Sequence, residues 1–463
     1  WFWPVGGDPV ADAPVRVPVP EDCRVESSGE WLLLRPRTDL EAAGRTFAGG
    51  SVLVVPWAEL EADPTRLPEP TVLFTPTPSA TVEDVTWGRG RLLLTVLEDT
   101  ESRLEAFTIP SVPGGAWSPL PVEGLPEHVS IDVLSCDRLS GGGGGDDDDE
   151  VVDPAARPHP DDAVLAISGP VVPPSLVLLR ADGSTATLGS TPHRFDASGI
   201  EVTRHTAVSD DGTEVPYTVM RGPGADGPSP TILYGYGGFE VPMRPAYAAL
   251  RGALWLEQGG IYVVAGIRGG GEYGPAWHRA AILENRPRAF EDFAAVARAL
   301  VETGVTTRDQ LGATGGSNGG LLMGVMLTRY PELFGALAIA VPLLDMKRYH
   351  LLLAGASWMA EYGDPDSSDW EQFLGAYSPY QHVRAASEVR YPPVLMTTST
   401  RDDRVHPGHA RKMTAALEAA GHEVAYYENI EGGHAGAADN SQEARKAVLT
   451  YEFFRRRLPR RRP

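Results

Sequence analysis

The stretch Gly315-Gly316-Ser317-Asn318-Gly319-Gly320 constrains this chain more than any other. It follows the apolar run Leu311-Gly312-Ala313-Thr314 and leads into Leu321-Leu322-Met323, so it reads as Gly-x-Ser-x-Gly between a strand and a helix. A serine in such a turn sits on strained backbone with its hydroxyl lifted off the sheet. Its neighbours must be small for strand and helix to approach. The helix N-terminus then places free N–H groups and partial positive charge beside an oxyanion formed on attack. A phosphate-binding loop would carry Lys after its glycines, and none follows here. Ser317 is the expected nucleophile.

The chain around this turn is written in two styles. From about residue 195, apolar strands such as Thr231–Tyr234, Ile261–Ala265, Ala336–Val341, Val394–Ser399 and Val424–Glu428 alternate with helix-length stretches, Phe290–Glu302, Asn318–Tyr330 and Gly408–Ala420. That alternation predicts βαβ units and a mainly parallel, doubly wound sheet over residues 195–463. Residues 1–194 instead hold short apolar runs bounded by Pro, Gly or Asp, among them Trp31–Leu34, Ser51–Val55, Arg91–Leu97, His128–Leu134 and Ala163–Ile167. No long helical pattern separates them, which predicts an all-β domain: a sandwich, a barrel or propeller blades. At about 40–45 residues per blade the region has room for about four to five. Within it, Gly141–Gly145 followed by Asp146–Asp149 and Glu150 reads as a mobile acidic loop without the spaced ligands of a calcium loop.

The acid and base that a serine nucleophile needs should follow it in that order. The strand Val394–Ser399 runs into Arg401-Asp402-Asp403-Arg404, where either aspartate is a candidate and the other is free to cap the helix near Gly408. His434, in Gly432-Gly433-His434-Ala435-Gly436, follows the next strand, and its glycines let the loop carry the imidazole toward Ser317. His406, His409 and His422 are rivals; the first two lie too close to the acid and the third precedes a strand, so surface or capping roles are expected for them. With His434 as base, the chemistry is acyl transfer through Ser317, and no metal or cofactor is needed.

Composition excludes several classes. The formal charge is −22, with 62 acidic and 40 basic residues, which disfavours nucleic acid as the main partner. The arginines at 455–457 and 460–462 are a local exception, read as a solvated helix end and tail. No apolar stretch is long enough for a membrane span. Two cysteines, Cys23 and Cys136, make neither a disulfide framework nor a zinc site. The chain opens Trp1-Phe2-Trp3 with no signal pattern, which reads as a processed or truncated terminus; a cytoplasmic location is favoured, with secretion left open.

Five stretches together resemble the prolyl oligopeptidases: Tyr234–Phe239, Arg268–Gly274, Gly315–Gly320, Asp402–Val405 and Gly433-His434. The resemblance spans nearly all of 195–455 and implies an α/β-hydrolase domain preceded by a β-propeller, here a partial one. It implies Asp402 as the triad acid and Tyr236 as the oxyanion-hole hydroxyl beside the Asn318 N–H. It also implies Arg404 as a holder of a substrate carbonyl, and a proline slot formed by Trp358, Tyr362, Phe239 and Val405. Oligopeptides are the implied substrates, and an N-terminal fragment completing the propeller is an implied partner. Arg268-Gly269-Gly270-Gly271 lacks the full dinucleotide fingerprint and is expected to brace the active-site loop. Enzymes that cut after Arg or Lys would need carboxylates in the slot, where Glu361 is the obvious one, at a spacer position. Related oligopeptidases or isopeptidases with another preference, or an inert peptide-binding module, are the alternatives.

Overall fold

A computed structural model describes residues 14–112, 114–136 and 159–459 of the protein. The acidic Gly/Asp run at 141–150 and the arginines at 460–462 lie outside the described residues. The chain forms two compact units. One takes the residues up to Pro192 together with Arg244–Tyr247 and Tyr273–Ala276, and the other takes the rest.

The first unit is built of antiparallel four-stranded sheets. Strands β1 (Arg24–Ser28) and β2 (Trp31–Arg35) pair with each other, and a ribbon of β3 (Leu40–Ala42) and β4 (Arg45–Phe47) interrupts the chain before β5 (Val52–Pro56) and β6 (Thr71–Phe74) complete the sheet. The second sheet runs β7 (Ala80–Trp87), β8 (Arg91–Glu98), β9 (Glu101–Thr108) and β10 (Ser118–Leu120); the third runs β11 (Ser130–Cys136), β12 (Ala163–Ser168), β13 (Ser175–Leu179) and β14 (Thr185–Ser190). Asp99 and Thr100 turn β8 into β9 with φ of 49° and 71°, the positive pair that a tight hairpin requires. Strand β8 carries the apolar run Leu92–Leu94 and Val96-Leu97 because both its faces are covered. Leu92, Leu94 and Val96 pack with Trp31, Leu33, Val52 and Val54 of the first sheet, while Leu93 joins Ile131, Leu165 and Leu179 of the third.

Three four-stranded sheets, rather than four or five, are present among the described residues. The difference has a physical origin: the β3–β4 ribbon and the Trp57–Ala62 helix take chain length that a uniform spacing assigns to further blades.

The second unit centres on an eight-stranded sheet: β15 (Glu201–Val208), β16 (Glu214–Arg221), β17 (Thr231–Gly235), β18 (Ile261–Ala265), β19 (Leu311–Gly316), β20 (Ala336–Ala340), β21 (Val394–Ser399) and β22 (Val424–Asn429). Their spatial order is β15-β16-β18-β17-β19-β20-β21-β22. The β15–β16 hairpin is antiparallel and meets β18 antiparallel; every later pair is parallel. Successive strand residues face opposite sides. Leu233, Val263, Leu337 and Met396 pack under the helices Pro287–Glu302, Asn318–Arg329 and Gly408–Ala419. Their neighbours Ile232, Tyr262, Ala338 and Leu395 pack against Trp255, Phe454 and Leu458, on and near the Asn440–Arg457 helix. Both faces are covered, which is why these strands read as continuous apolar runs.

Candidate active site

Parallel strands share a carboxyl edge, and in open α/β sheets that edge is where ligands gather. Ser317 lies just beyond β19, the Asp402 turn beyond β21 and the His434 loop beyond β22.

Ser317 occupies the corner between β19 and the helix Asn318–Arg329 with φ 58° and ψ −116°. Its N–H donates to the Ala340 carbonyl at 2.9 Å, and its own carbonyl accepts from Gly320 at 2.9 Å and Leu321 at 3.1 Å, so the unfavourable backbone is fixed at both ends. The corner leaves no room for larger neighbours. A Cβ at Gly315 would stand 2.4 Å from the Gly319 carbonyl oxygen, and one at Gly319 would stand 2.8 Å from that of Gly235. The Tyr236 phenol is a hydrogen-bonding neighbour of Ser317; burial pushes its pKa up, against the opposing pull of Arg404 and Arg286, so it remains an O–H donor at neutral pH.

Asp402 is buried and Asp403 exposed. The Asp402 Oδ1 accepts from the N–H groups of Arg404 at 3.0 Å and Val405 at 2.8 Å, a local turn that aims the carboxylate. His434 Nδ1 stands 3.0 Å from its Oδ1 and 2.9 Å from its Oδ2. An Nδ1–H donated to the carboxylate leaves Nε2 as the basic nitrogen. The three rival histidines are engaged elsewhere. His406 Nδ1 accepts from Gly408 N–H, and His422 stacks on Tyr391. His409 departs from expectation: it is neither at the surface nor a cap. It is 2% exposed, accepts from the Leu344 and Asp345 N–H groups, and burial lowers its pKa to about 4.

The four residues expected to form a slot fall in one apolar cluster. Trp358, Tyr362 and Val405 are buried in it and Phe239 packs against it, edge-on to Tyr362 with ring centres 5.7 Å apart. Arg404 is exposed, close enough to influence the Tyr236 phenol. The Arg268 turn braces this region. Gly269 accepts from the Glu240 N–H at 3.1 Å, and the Arg268 guanidinium pairs with the buried Asp292.

Beneath these groups lies a charged network that sequence reasoning missed. Glu361 is 5% exposed and Arg286 is fully buried. The Glu361 Oε1 accepts from the Phe239 N–H at 2.9 Å and from Arg286 Nη1 at 3.1 Å, while its Oε2 meets His278 Nε2 at 2.8 Å. Arg286 Nη2 donates to Asn318 Oδ1 at 2.6 Å, and Tyr362 OH donates to the same oxygen at 2.8 Å. Asn318 Nδ2 donates to the Tyr236 carbonyl at 2.6 Å. Burial alone would raise the Glu361 carboxyl, yet His278, Arg286 and the Phe239 N–H hold it below its ordinary value. Arg286 and His278 carry no motif, and Glu361 reads only as a spacer beside the slot.

Residues 247–460 match the model of the prolyl oligopeptidase family. The chain is 42% identical over 421 residues to an uncharacterized peptidase, y4nA, of Sinorhizobium fredii (strain NBRC 101917 / NGR234), covering 90% of this chain and 54% of that protein. It is 38% identical over 253 residues to a prolyl endopeptidase of Elizabethkingia miricola, covering 54% of this chain and 36% of that enzyme. Among solved structures, a post-proline cleaving enzyme from Rickettsia typhi superposes with a TM-score of 0.82 at 29% identity, over 96% of this chain and 61% of that one. The chain thus spans a little over half the length of the y4nA peptidase and of the Rickettsia enzyme.

Proposed function

Because the chain belongs to the prolyl oligopeptidase family through residues 247–460, we propose that it is a serine peptidase that cleaves short peptides on the carboxyl side of proline. The observation that carries this is the pairing of the buried Asp402 carboxylate with His434 Nδ1, at the same sheet edge as the strained Ser317 corner.

In this mechanism His434 Nε2 takes the Ser317 Oγ proton as Oγ attacks the scissile carbonyl carbon. The carbonyl π electrons move onto oxygen, where the Tyr236 O–H and the Asn318 N–H receive them. Imidazolium, held by Asp402, then gives its proton to the leaving nitrogen as the C–N bond breaks. Water, deprotonated by His434 Nε2, attacks the acyl carbon, and the imidazolium returns that proton to Ser317 Oγ as the acyl–oxygen bond breaks. Asp402 holds the tautomer throughout and is not itself protonated.

Proline preference is supported by the aromatic and aliphatic side chains of the slot, whose flat faces suit a pyrrolidine ring. Glu361 supports it from the opposite direction. Its carboxylate is saturated by Arg286, His278 and the Phe239 N–H, so a basic side chain of a substrate would have to break those bonds to use it. Arg404, exposed and multi-donor, suits a substrate carbonyl. For the first unit, a propeller reading is supported by β1, β7 and β11. As the leading strand of each sheet, they line one cavity of about 1000 Å³ with Glu26, Asp84, Thr86 and Ser135 on its wall.

The test is kcat/KM for blocked chromogenic peptides with Pro, Ala or Arg before the scissile bond. The proline peptide should lead the alanine peptide by about 10-fold or more, the order expected from filling an apolar pocket. Equal or higher values with arginine would reject the preference.

A further inference from the structure

The buried charges under the slot have no place in the proton transfers above, yet they are costly to bury unless paired. Their connections explain their position. Arg286 is a fork with one nitrogen on Glu361 Oε1 and the other on Asn318 Oδ1. The Asn318 side chain continues to the Tyr236 carbonyl, and Glu361 itself holds the Phe239 N–H. Tyr236 and Asn318 are the two proposed oxyanion donors, and Phe239 belongs to the slot.

Phe239 and Glu240 have φ of 56° and 57°, a conformation that non-glycine residues rarely adopt. The Glu361 carboxylate grips the N–H of the first and the Gly269 carbonyl grips that of the second. The space is also closed: a Cβ on Gly238 would stand 2.5 Å from Asn318 Nδ2 and 3.2 Å from Glu361 Oε1. The Arg286 guanidinium also lies over the Tyr362 ring, 5.4 Å from its centre. One polar cluster therefore touches the turn carrying Tyr236, the elbow residue Asn318 and the floor of the slot.

We propose that Arg286 and Glu361, steadied by His278, are positioning residues that lock Tyr236 and Asn318 into a preformed oxyanion hole. This rests on the serine-peptidase reading above. None of the three touches the reacting atoms. They act by removing the freedom that Tyr236 and Asn318 would otherwise have to surrender as charge develops on the substrate oxygen, so their effect falls on the transition state. An ammonium cannot span Glu361 and Asn318 as a planar fork does, which makes Arg286→Lys a charge-conserving break in the link.

The experiment compares the full chain with Arg286→Lys and with the double variant Arg286→Met/Glu361→Gln, which removes both buried charges together. Three quantities are read on folded protein. They are kcat and KM with a proline substrate, inhibition by a peptidyl prolinal aldehyde that forms a tetrahedral adduct, and the rate constant for fluorophosphonate labelling of Ser317. The expected result for both variants is a kcat lower by about 10²-fold, the scale of one lost oxyanion donor. KM should change less than about threefold, and aldehyde affinity and labelling rate should fall in step with kcat. A purely structural role would lower Tm while leaving kcat and labelling of the folded fraction at wild-type values, and that result overturns the proposal. So does a loss confined to KM. If the wild type is labelled at Ser317 but shows no proline preference, the substrate reading fails, while unequal labelling rates still support positioning. Absence of wild-type labelling removes the oxyanion hole itself and the proposal with it.

Discussion

The two sides of Ser317 are built differently. On the Tyr236 and Asn318 side, the backbone and side chains are tied into buried charge, through Arg286, Glu361 and the Arg268–Asp292 pair. On the His434 side, the loop beyond β22 is exposed at Ile430 and Glu431, and the imidazole is tied to Asp402. The loop is anchored on both flanks: Glu431 Oε2 accepts from Gln442 Nε2 at 2.8 Å, and Asn429 Nδ2 and Lys446 Nζ donate to the carbonyls of Gly436 and Ala435 at 2.9 Å and 2.7 Å. A Cβ on Gly433 would find nothing nearer than Asp403 Oδ1 at 4.0 Å. In the proposed mechanism, then, the groups assigned to the transition-state charge are held by buried ion pairs, whereas the residue assigned as base is held at its ring by one carboxylate.

The largest effect should come from breaking that single tie. Asp402→Asn is expected to lower kcat by about 10⁴-fold, because the amide offers Nδ1 a donor and favours the wrong tautomer. Asp403→Asn, at an exposed residue outside the His434 contact, should stay within about threefold. Steady-state kinetics on the pair checks this, and equal losses would erase the distinction between the two aspartates. On the fixed side, Tyr236→Phe should lower kcat by about 10²–10³-fold with KM little changed, since one oxyanion donor is removed and the cavity keeps its shape. A wild-type kcat would mean that the phenol plays no part.

A smaller effect tests how the fixed side responds to pH. Glu272, fully buried at the end of the Arg268 turn, accepts from the Met243 N–H at 2.9 Å, and burial pushes its pKa up to about 8. Its folded pKa is raised, so the folded state holds the proton that the unfolded chain releases near 4.5. That contribution is complete at low pH and is lost as pH climbs toward about 8. His409 acts with the opposite sign: with its folded pKa lowered to about 4, it withdraws stability only as pH falls below 6.5. The interval from 6.5 to 8 therefore isolates Glu272, with about 2 kcal/mol at stake. Tm should fall by several degrees across it, and Glu272→Gln should flatten the profile. An unchanged slope in the variant would exclude this carboxyl as its source.

Much of this arrangement is legible in the residues because local chemistry enforces it. The Ser317 corner needs small neighbours, and the parallel strands need unbroken apolar runs, so both leave marks along the chain. Asp402 and Asp403 are adjacent and identical, and what separates them is the turn formed by the N–H groups of residues 404 and 405, which the resemblance supplies and the residues alone do not. The β15 strand escapes a search for apolar runs because it is an edge strand, largely exposed, of sequence Glu-Val-Thr-Arg-His-Thr-Ala-Val. His278, Arg286 and Glu361 are dispersed over the chain and reach Asn318 only through tertiary packing, so no spacing announces the network. The sheet count of the first unit is obscured by its insertions, which uniform blade lengths do not foresee.

The central claim is that Ser317 is an activated nucleophile, and fluorophosphonate labelling followed by peptide mass mapping tests it most directly. The expected result is one phosphonyl group per chain, on the peptide containing Ser317, abolished by Ser317→Ala and slowed by Asp402→Asn. Labelling that persists in Ser317→Ala, or a wild-type chain that takes up no label, would contradict it.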